Sequence, residues 1–268
     1  MEQTPIIINR IFLKANCKKI KTNCMKIFIC FFFSLLFMLH TIAQNSHFIT
    51  EGKIEFERKL NLHSQFNDDN AWSAEYKKSI PQFKTTYFNL LFNNNKTLYQ
   101  PGREVAENNK LWEQPAEENI VYSDLDKQQM ISQKKIFEKT FLITDSTRKI
   151  QWKITDEKRT IAGFECRRAN ALIMDSVYIV AFYTDEIVTT SGPESFSGLP
   201  GMILGVAIPH EHITWFATKL TAIPIKETDF KIPVKGVKLN NNTLKETLKS
   251  SLKDWGKYAD RYIKAAFY

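Results

Sequence analysis

Between Gly52 and Leu60 apolar and polar residues alternate, with Ile54, Phe56 and Arg58 in one phase and Lys53, Glu55 and Glu57 in the other. Strand side chains project to opposite faces with period two, so this segment reads as a strand with one buried face. The Asn67-Asp68-Asp69-Asn70 run supplies side-chain oxygens suited to capping, and predicts a short helix from Ala71 to Ile80, stopped by Pro81. Thr85–Phe92 and Lys96–Tyr99 are β-rich runs joined by three asparagines. Asparagine tolerates left-handed backbone, so the pair predicts a hairpin. Pro101–Asn119 is polar, contains Gly102 and Pro115, and reads as a long loop and a candidate for mobility.

From Ile120 the strand pattern is nearly continuous. It predicts strands at Ile120–Ser123, Gln129–Phe137, Lys139–Thr144 and Lys149–Ile154, the last with Ile150, Trp152 and Ile154 on one face. Phe164–Ile173 and Val177–Tyr183 follow, with Met174-Asp175-Ser176 as the turn between them. Val177–Tyr183 is apolar at almost every position, as expected of a central strand covered on both faces. Met202–Ile208 and Ile213–Leu220 predict a further hairpin. The chain then changes period. Leu244, Leu248, Leu252, Trp255, Tyr258 or Ala259, and Tyr262 recur at steps of three and four, which predicts an amphipathic helix near 243–266, capped by Asn242 or Thr243. The polar face of this helix mixes both charge signs, which favours packing on the sheet over lying on a membrane. The expected fold class is therefore mainly β (α+β). It comprises a large curved antiparallel sheet, up to an open half-barrel in shape, with a short N-terminal helix and a C-terminal amphipathic helix packed on it.

The N-terminal stretch changes the reading of the bulk numbers. Lys26 precedes an apolar run from Ile27 to Leu39 broken only by Ser34, followed by Thr41-Ile42-Ala43. A secretory core is roughly 7–15 residues and a spanning helix needs about 20, so residues 1–43 are expected to be a cleavable signal peptide. Translation from Met25 alone would already open a compact leader. Gln44 rather than cysteine follows the expected cleavage site, so a lipoprotein is not expected. Of 37 Lys+Arg and 29 Asp+Glu, the first 43 residues hold six and one, leaving 31 against 28 in the expected single domain 44–268. A surplus of three gives no electrostatic case for nucleic acid. Cys17, Cys24 and Cys30 fall in the leader, and Cys166 by itself can form neither an intrachain disulfide nor a zinc site. The domain must be held by its core.

Four of the nine glycines fall between Ser191 and Gly205. Within this stretch Leu199-Pro200-Gly201-Met202 suits a type II turn, proline presetting φ at its second position and glycine accepting positive φ at its third. Gly205, inside the following apolar strand, predicts a bulge or a close backbone approach. The hexapeptide Gly198-Leu199-Pro200-Gly201-Met202-Ile203 resembles the hallmark of the GLPGLI family of exported Gram-negative envelope proteins, with methionine in place of the second leucine. Trp152, the segments Ile161–Ala169 and Phe182–Ile187, and Gly192-Pro193 agree with that family in order and spacing. The resemblance implies an exported, mostly β protein of uncharacterised activity, often a companion of TonB-dependent outer-membrane transport systems. It carries over no catalytic or ligand residue. The succession of long antiparallel strands and helices is also similar in architecture to the open half-barrel of lipoprotein carriers.

The sharper chemical readings are weak. The glycine-rich loop enters an apolar strand with no lysine near it, unlike a phosphate loop. His210 and His212 flank Glu211 where a hairpin must turn, and two histidines without a distant third ligand make a poor metal site. Arg167 and Arg168 could activate the Cys166 thiol, but alternation points Cys166 inward with Phe164. Asp185-Glu186 sits at a strand end, and no Gly-x-Ser-x-Gly or His-Glu-x-x-His motif occurs. The expectation is a non-enzymatic periplasmic or outer-membrane-associated module with no cofactor and no span after leader removal. It would bind a periplasmic or outer-membrane protein partner, or an apolar ligand held in a groove of the sheet. A cryptic envelope hydrolase is the alternative.

Overall fold

The computed structural model describes residues 48–66 and 71–268. The expected leader and its cleavage site, and the asparagine-rich cap expected at 67–70, lie outside the described residues. The fold is mainly β. Twelve strands form one open sheet in the order β12-β6-β5-β4-β3-β2-β1-β11-β10-β9-β8-β7, which does not close into a barrel.

Two meanders make this sheet. The first runs through β1 (Glu51–Asn61), β2 (Phe83–Asn93), β3 (Lys96–Pro101), β4 (Ile120–Asp124), β5 (Gln129–Ile136) and β6 (Lys139–Ser146). The second runs through β7 (Lys153–Ile161), β8 (Phe164–Ile173), β9 (Val177–Thr184), β10 (Met202–Ile208) and β11 (Ile213–Thr221). They join where β1 pairs antiparallel with β11, Arg58 opposite Trp215. A three-residue strand, β12 (Val237–Leu239), adds in parallel to the free side of β6.

Alternation decides which residues share a face. Ile54, Phe56, Arg58 and Leu60 of β1 are all buried, and across the sheet they meet Phe88, Leu90, Tyr99, Trp215 and Ala217. Two pieces of chain cover this face. One is the β9–β10 connection, whose Phe196 and Leu199 are buried in the same cluster. The other is the C-terminal end, where Ala265 and Tyr268 join it. The rings of Phe196 and Tyr268 meet Trp215 edge-on at 6.0 and 5.9 Å. On the opposite face, Leu98 and Tyr122 pack with Ile225 and Phe230 of the segment after β11.

Three departures from the sequence expectations have local causes. The strand expected at Lys149–Ile154 begins only at Lys153 and runs on to Ile161. Its residues are largely exposed and charged because β7 is a sheet edge, so no apolar alternation announces it. The single C-terminal helix is two: α2 (Asn241–Ser251) and α3 (Lys257–Ala265), separated by a 3-10 turn and by Gly256 at φ +56°. Its cap is Asn240, whose side chain accepts the Thr243 N–H at 2.9 Å. The first helix, α1, spans Ala71–Ser79. Among the described residues no helix is long and apolar enough to cross a membrane.

Candidate functional site

The Pro101–Asn119 loop is not free. It carries a 3-10 turn at Ala106–Lys110, and its end is tied to the buried face of β1 and β2. Arg58 Nη2 donates to the Pro115 carbonyl at 2.7 Å, and Nη1 lies 3.7 Å from Glu117. Lys84 Nζ donates at 2.8 Å to both the Trp112 carbonyl and Glu117. Arg58 and Lys84 occupy core positions of alternating strands and are almost wholly buried. Charges in such positions persist only when paired, and Glu117 pairs both.

Beside this triad stands a second buried group. Glu194, from the β9–β10 connection, accepts the Asn119 side-chain amide at 2.8 Å through one carboxylate oxygen, while the other has no protein partner. Burial raises its carboxyl above the usual range, against the charges of Lys134 and Arg58 and the Asn119 bond. Lys134, on β5, is buried, and desolvation lowers its ammonium to about 8, with the Arg148 charge adding and the Glu194 charge opposing. It donates to the main-chain oxygen of Tyr268 at 3.3 Å, and Ser195 Oγ donates to the same oxygen at 2.6 Å. Arg148 donates to the main-chain oxygen of Phe267 and leaves Nη1 unpartnered, and burial lowers its guanidinium to about 10.

Above these charges opens a cleft of about 620 Å³. Its walls are Trp112, Pro115 and Ala116 from the loop, Ile136 and Phe137 at the end of β5, and Trp255, Tyr262, Ala265 and Ala266 from the C-terminal end. Asn119 and Lys134 are its buried polar members. Phe137 lies 5.1 Å from Trp255 and 4.7 Å from Tyr262, ring centre to ring centre. A smaller cleft of about 390 Å³ shares Trp112 and is walled by Phe66, Trp72 and Tyr76, with Trp72 stacked on Tyr76 at 5.2 Å. Trp112 itself is 81 % exposed on the ridge between the two.

The residues singled out in the sequence lie elsewhere. Gly198 has φ +90° and Gly201 φ +139°, and a Cβ on Gly201 would stand 2.0 Å from the Thr184 carbonyl oxygen. The turn is tighter than type II: the Gly201 N–H donates to Leu199 at 2.8 Å, and the Met202 N–H goes instead to Ile187 at 3.1 Å. The Ile203 N–H donates to Ser191, and Leu199, Met202 and Ile203 are buried. The turn therefore steers β10 and fastens the connection that carries Glu194 and Ser195. Trp152 takes part, its indole N–H donating to the Ser197 carbonyl at 2.9 Å. Gly205 sits at a register irregularity, with the Phe216 ring 2.7 Å from where a Cβ would be.

His210 and His212 are exposed in the β10–β11 turn, where Glu211 pairs with Lys264 of α3 at 2.7 Å. Among the described residues, no group of three or more His, Cys, Asp and Glu side chains could hold a metal ion. Cys166 is wholly buried and desolvation pushes its thiol up to about 12. Asp185 and Glu186 are exposed at the end of β9. The cleft residues escaped the sequence reading because they come from three regions spread between Trp112 and Ala266. The one local signal was an arginine in the buried phase of β1.

No curated protein matches this chain. Among solved structures it is similar to those of PNGF-II in the P21 and C2 space groups, at 16% and 14% identity and a TM-score of 0.49 in each case. These matches cover 74% and 73% of this chain and 32% of PNGF-II, so the chain spans about a third of those proteins. It is also similar to an uncharacterized conserved protein from Thermus thermophilus, at 4% identity and a TM-score of 0.38, over 72% of this chain and 91% of that one. Residues 172–205, from the end of β8 through β9 and the buried connection into β10, match the family model described as a protein of unknown function (Porph_ging), the GLPGLI type.

Proposed function

We propose that this chain is a non-enzymatic envelope module that binds an apolar ligand in the cleft between the 112–119 loop, the end of β5 and α3. The carrying observation is the cleft itself, a volume of about 620 Å³ in which the rings of Trp112, Phe137, Trp255 and Tyr262 and five aliphatic residues line the wall beside six polar ones, Glu113, Gln114, Asn119, Lys134, Lys135 and Glu138. Ligand sites are commonly concave, largely apolar and roughly 300–1,000 Å³. The open sheet, bent as a half-barrel, is the scaffold, and the helical C-terminal end forms one wall of the site. The hexapeptide turn serves structure rather than chemistry. In this reading the protein works outside the cytoplasm, in the periplasm or at the outer membrane, without a lipid anchor. There it acts as an accessory to an envelope partner such as a TonB-dependent transport system.

Two tryptophans of the cleft wall supply the test. The neutral dye N-phenyl-1-naphthylamine, titrated into the purified protein, is expected to gain fluorescence and to quench tryptophan emission to a saturable end point. Trp255→Ala should weaken binding by roughly tenfold, the scale of one lost aromatic contact. A dye signal that does not saturate, or that survives Trp112→Ala and Trp255→Ala together, would overturn the assignment.

A further inference from the structure

The segment between β11 and β12 covers the face of the sheet opposite the cleft. Ile225 and Phe230 anchor it on Leu98 and Tyr122, and Pro233 is buried as well. Its other side chains face water. Ile232 and Val234 flank Pro233 and are exposed, Val234 at 76 %. Lys231 and Lys235 flank these two in turn and are also exposed. In β12 alternation turns Lys238 away from Leu239, whose side packs with the C-terminal helices, and so toward the same face.

The charges of this strip are not balanced locally. From Lys231 to Lys238 there are three lysines and no acid. Upstream, Glu227 pairs with Lys96 at 2.8 Å, and Asp229 accepts the Lys226 main-chain N–H at 2.8 Å. Among the described residues no carboxylate lies within ion-pair distance of Lys231, Lys235 or Lys238. The residues of β5 and β6 that share this face, among them Gln133, Thr140, Leu142 and Thr144, are uncharged. Lys135 is the exception, and it holds Glu113 and Glu118 at 3.1 and 2.9 Å. Including that triad, four cations face two acids.

We propose that the strip from Lys231 to Lys238 seats the protein on an anionic lipid bilayer. Ile232 and Val234 would enter the headgroup boundary, while the three lysines lay their stems along it and bring their ammoniums to lipid phosphates. Peripheral binding of this kind combines buried apolar area with attraction to anionic lipid, and long lysine side chains reach the headgroups from an apolar bed. A protein partner fits less well. Lysine is depleted from protein interfaces, and the strip has none of the exposed aromatic rings or arginines that anchor them. Because the cleft lies on the other face of the sheet, it stays accessible in the docked protein.

Cosedimentation of the full chain with vesicles tests this. Binding is expected to an equal mixture of phosphatidylglycerol and phosphatidylcholine, none to phosphatidylcholine alone, and added salt should weaken it. Each lysine near an anionic surface is worth about fivefold, so Lys235→Gln with Lys238→Gln should weaken binding by at least about tenfold. Val234→Ser should weaken it by about fivefold through lost apolar burial. Lys153→Gln with Lys158→Gln, on β7 at the far edge of the sheet, removes the same net charge and should leave binding nearly unchanged. All these side chains are exposed, so the fold is retained. No binding to the anionic vesicles overturns the proposal. So does an equal loss in the two lysine pairs, which would reduce the effect to net charge, or binding that survives both Val234→Ser and the loss of Lys235 and Lys238. None of these outcomes bears on dye binding in the cleft.

Discussion

Glu117 accepts a 2.8 Å hydrogen bond from the ammonium of Lys84, which fastens the end of the Pro101–Asn119 loop to the buried face of the sheet. Arg58 reinforces it from β1 by holding the neighbouring Pro115 carbonyl. One wall of the aromatic cleft thus depends on a carboxylate that joins two buried cations. Removing one partner of such a group leaves the others charged and unpaired, typically at about 3–5 kcal/mol. Glu117→Gln is therefore expected to lower stability in urea unfolding by roughly 3 kcal/mol. Trypsin should also cut faster at Arg103 and Lys110. A loss below about 1 kcal/mol with unchanged proteolysis would show that the loop is held by other contacts.

Gly201 and Gly198 make a matched pair. Both have positive φ, but a Cβ on Gly201 would strike the Thr184 backbone, whereas one on Gly198 would find only the Trp152 indole at 3.8 Å. Gly198→Ala should cost about 1 kcal/mol from backbone strain alone. Gly201→Ala adds a steric clash that neither β9 nor β10 can relieve, and should cost roughly 3 kcal/mol or more. Thermal unfolding of the two variants measures the contrast. Equal losses would mean that the turn tolerates a side chain at either place.

Lys134 makes a pH prediction whose sign is unusual for a lysine. Its folded pKa, about 8, lies below the ordinary 10.5, so the folded protein gives up this proton before the unfolded chain does. Between these values the unfolded state binds more protons, and stability rises with pH. The penalty is fully present below pH 8 and relieved by about pH 10.5, with an upper magnitude of roughly 3 kcal/mol. Comparison with Lys134→Met isolates it, because the opposing effect of Cys166, whose thiol stays protonated up to about 12, is common to both proteins. The wild type should gain on the variant as pH rises from 7.5 to 10.5. Parallel stability curves would refute a desolvated ammonium.

The Cys166 thiol should be inert while the protein is folded. It is wholly buried, and its thiolate is suppressed by desolvation rather than promoted by Arg167 or Arg168. Iodoacetamide at pH 8, followed by mass spectrometry of the Cys166 peptide, should show labelling in urea and a rate at least about a hundredfold lower in buffer. Rapid labelling of the native protein would expose a reactive site that the geometry does not contain.

By itself the sequence determined the elements with short-range rules. Alternation located β1, and an apolar run marked β9 as covered on both faces. Three asparagines marked the β2–β3 hairpin, and proline followed by glycine marked the turn into β10. Each of these depends on neighbours a few residues apart, which a linear pattern records. The edge strand β7 and the break at Gly256 were hidden, because an exposed edge needs no apolar phase and a helical period carries across one glycine. Only the tertiary structure decided which buried charges meet. Arg58 is legible as a polar residue in an apolar phase, but its partners Pro115 and Glu117 lie almost sixty residues away and reach it through strand order. The cleft rings are likewise drawn from distant segments. Strand order and register are long-range outcomes of burying one face of a sheet, and they alone bring Lys134 beneath the aromatic walls.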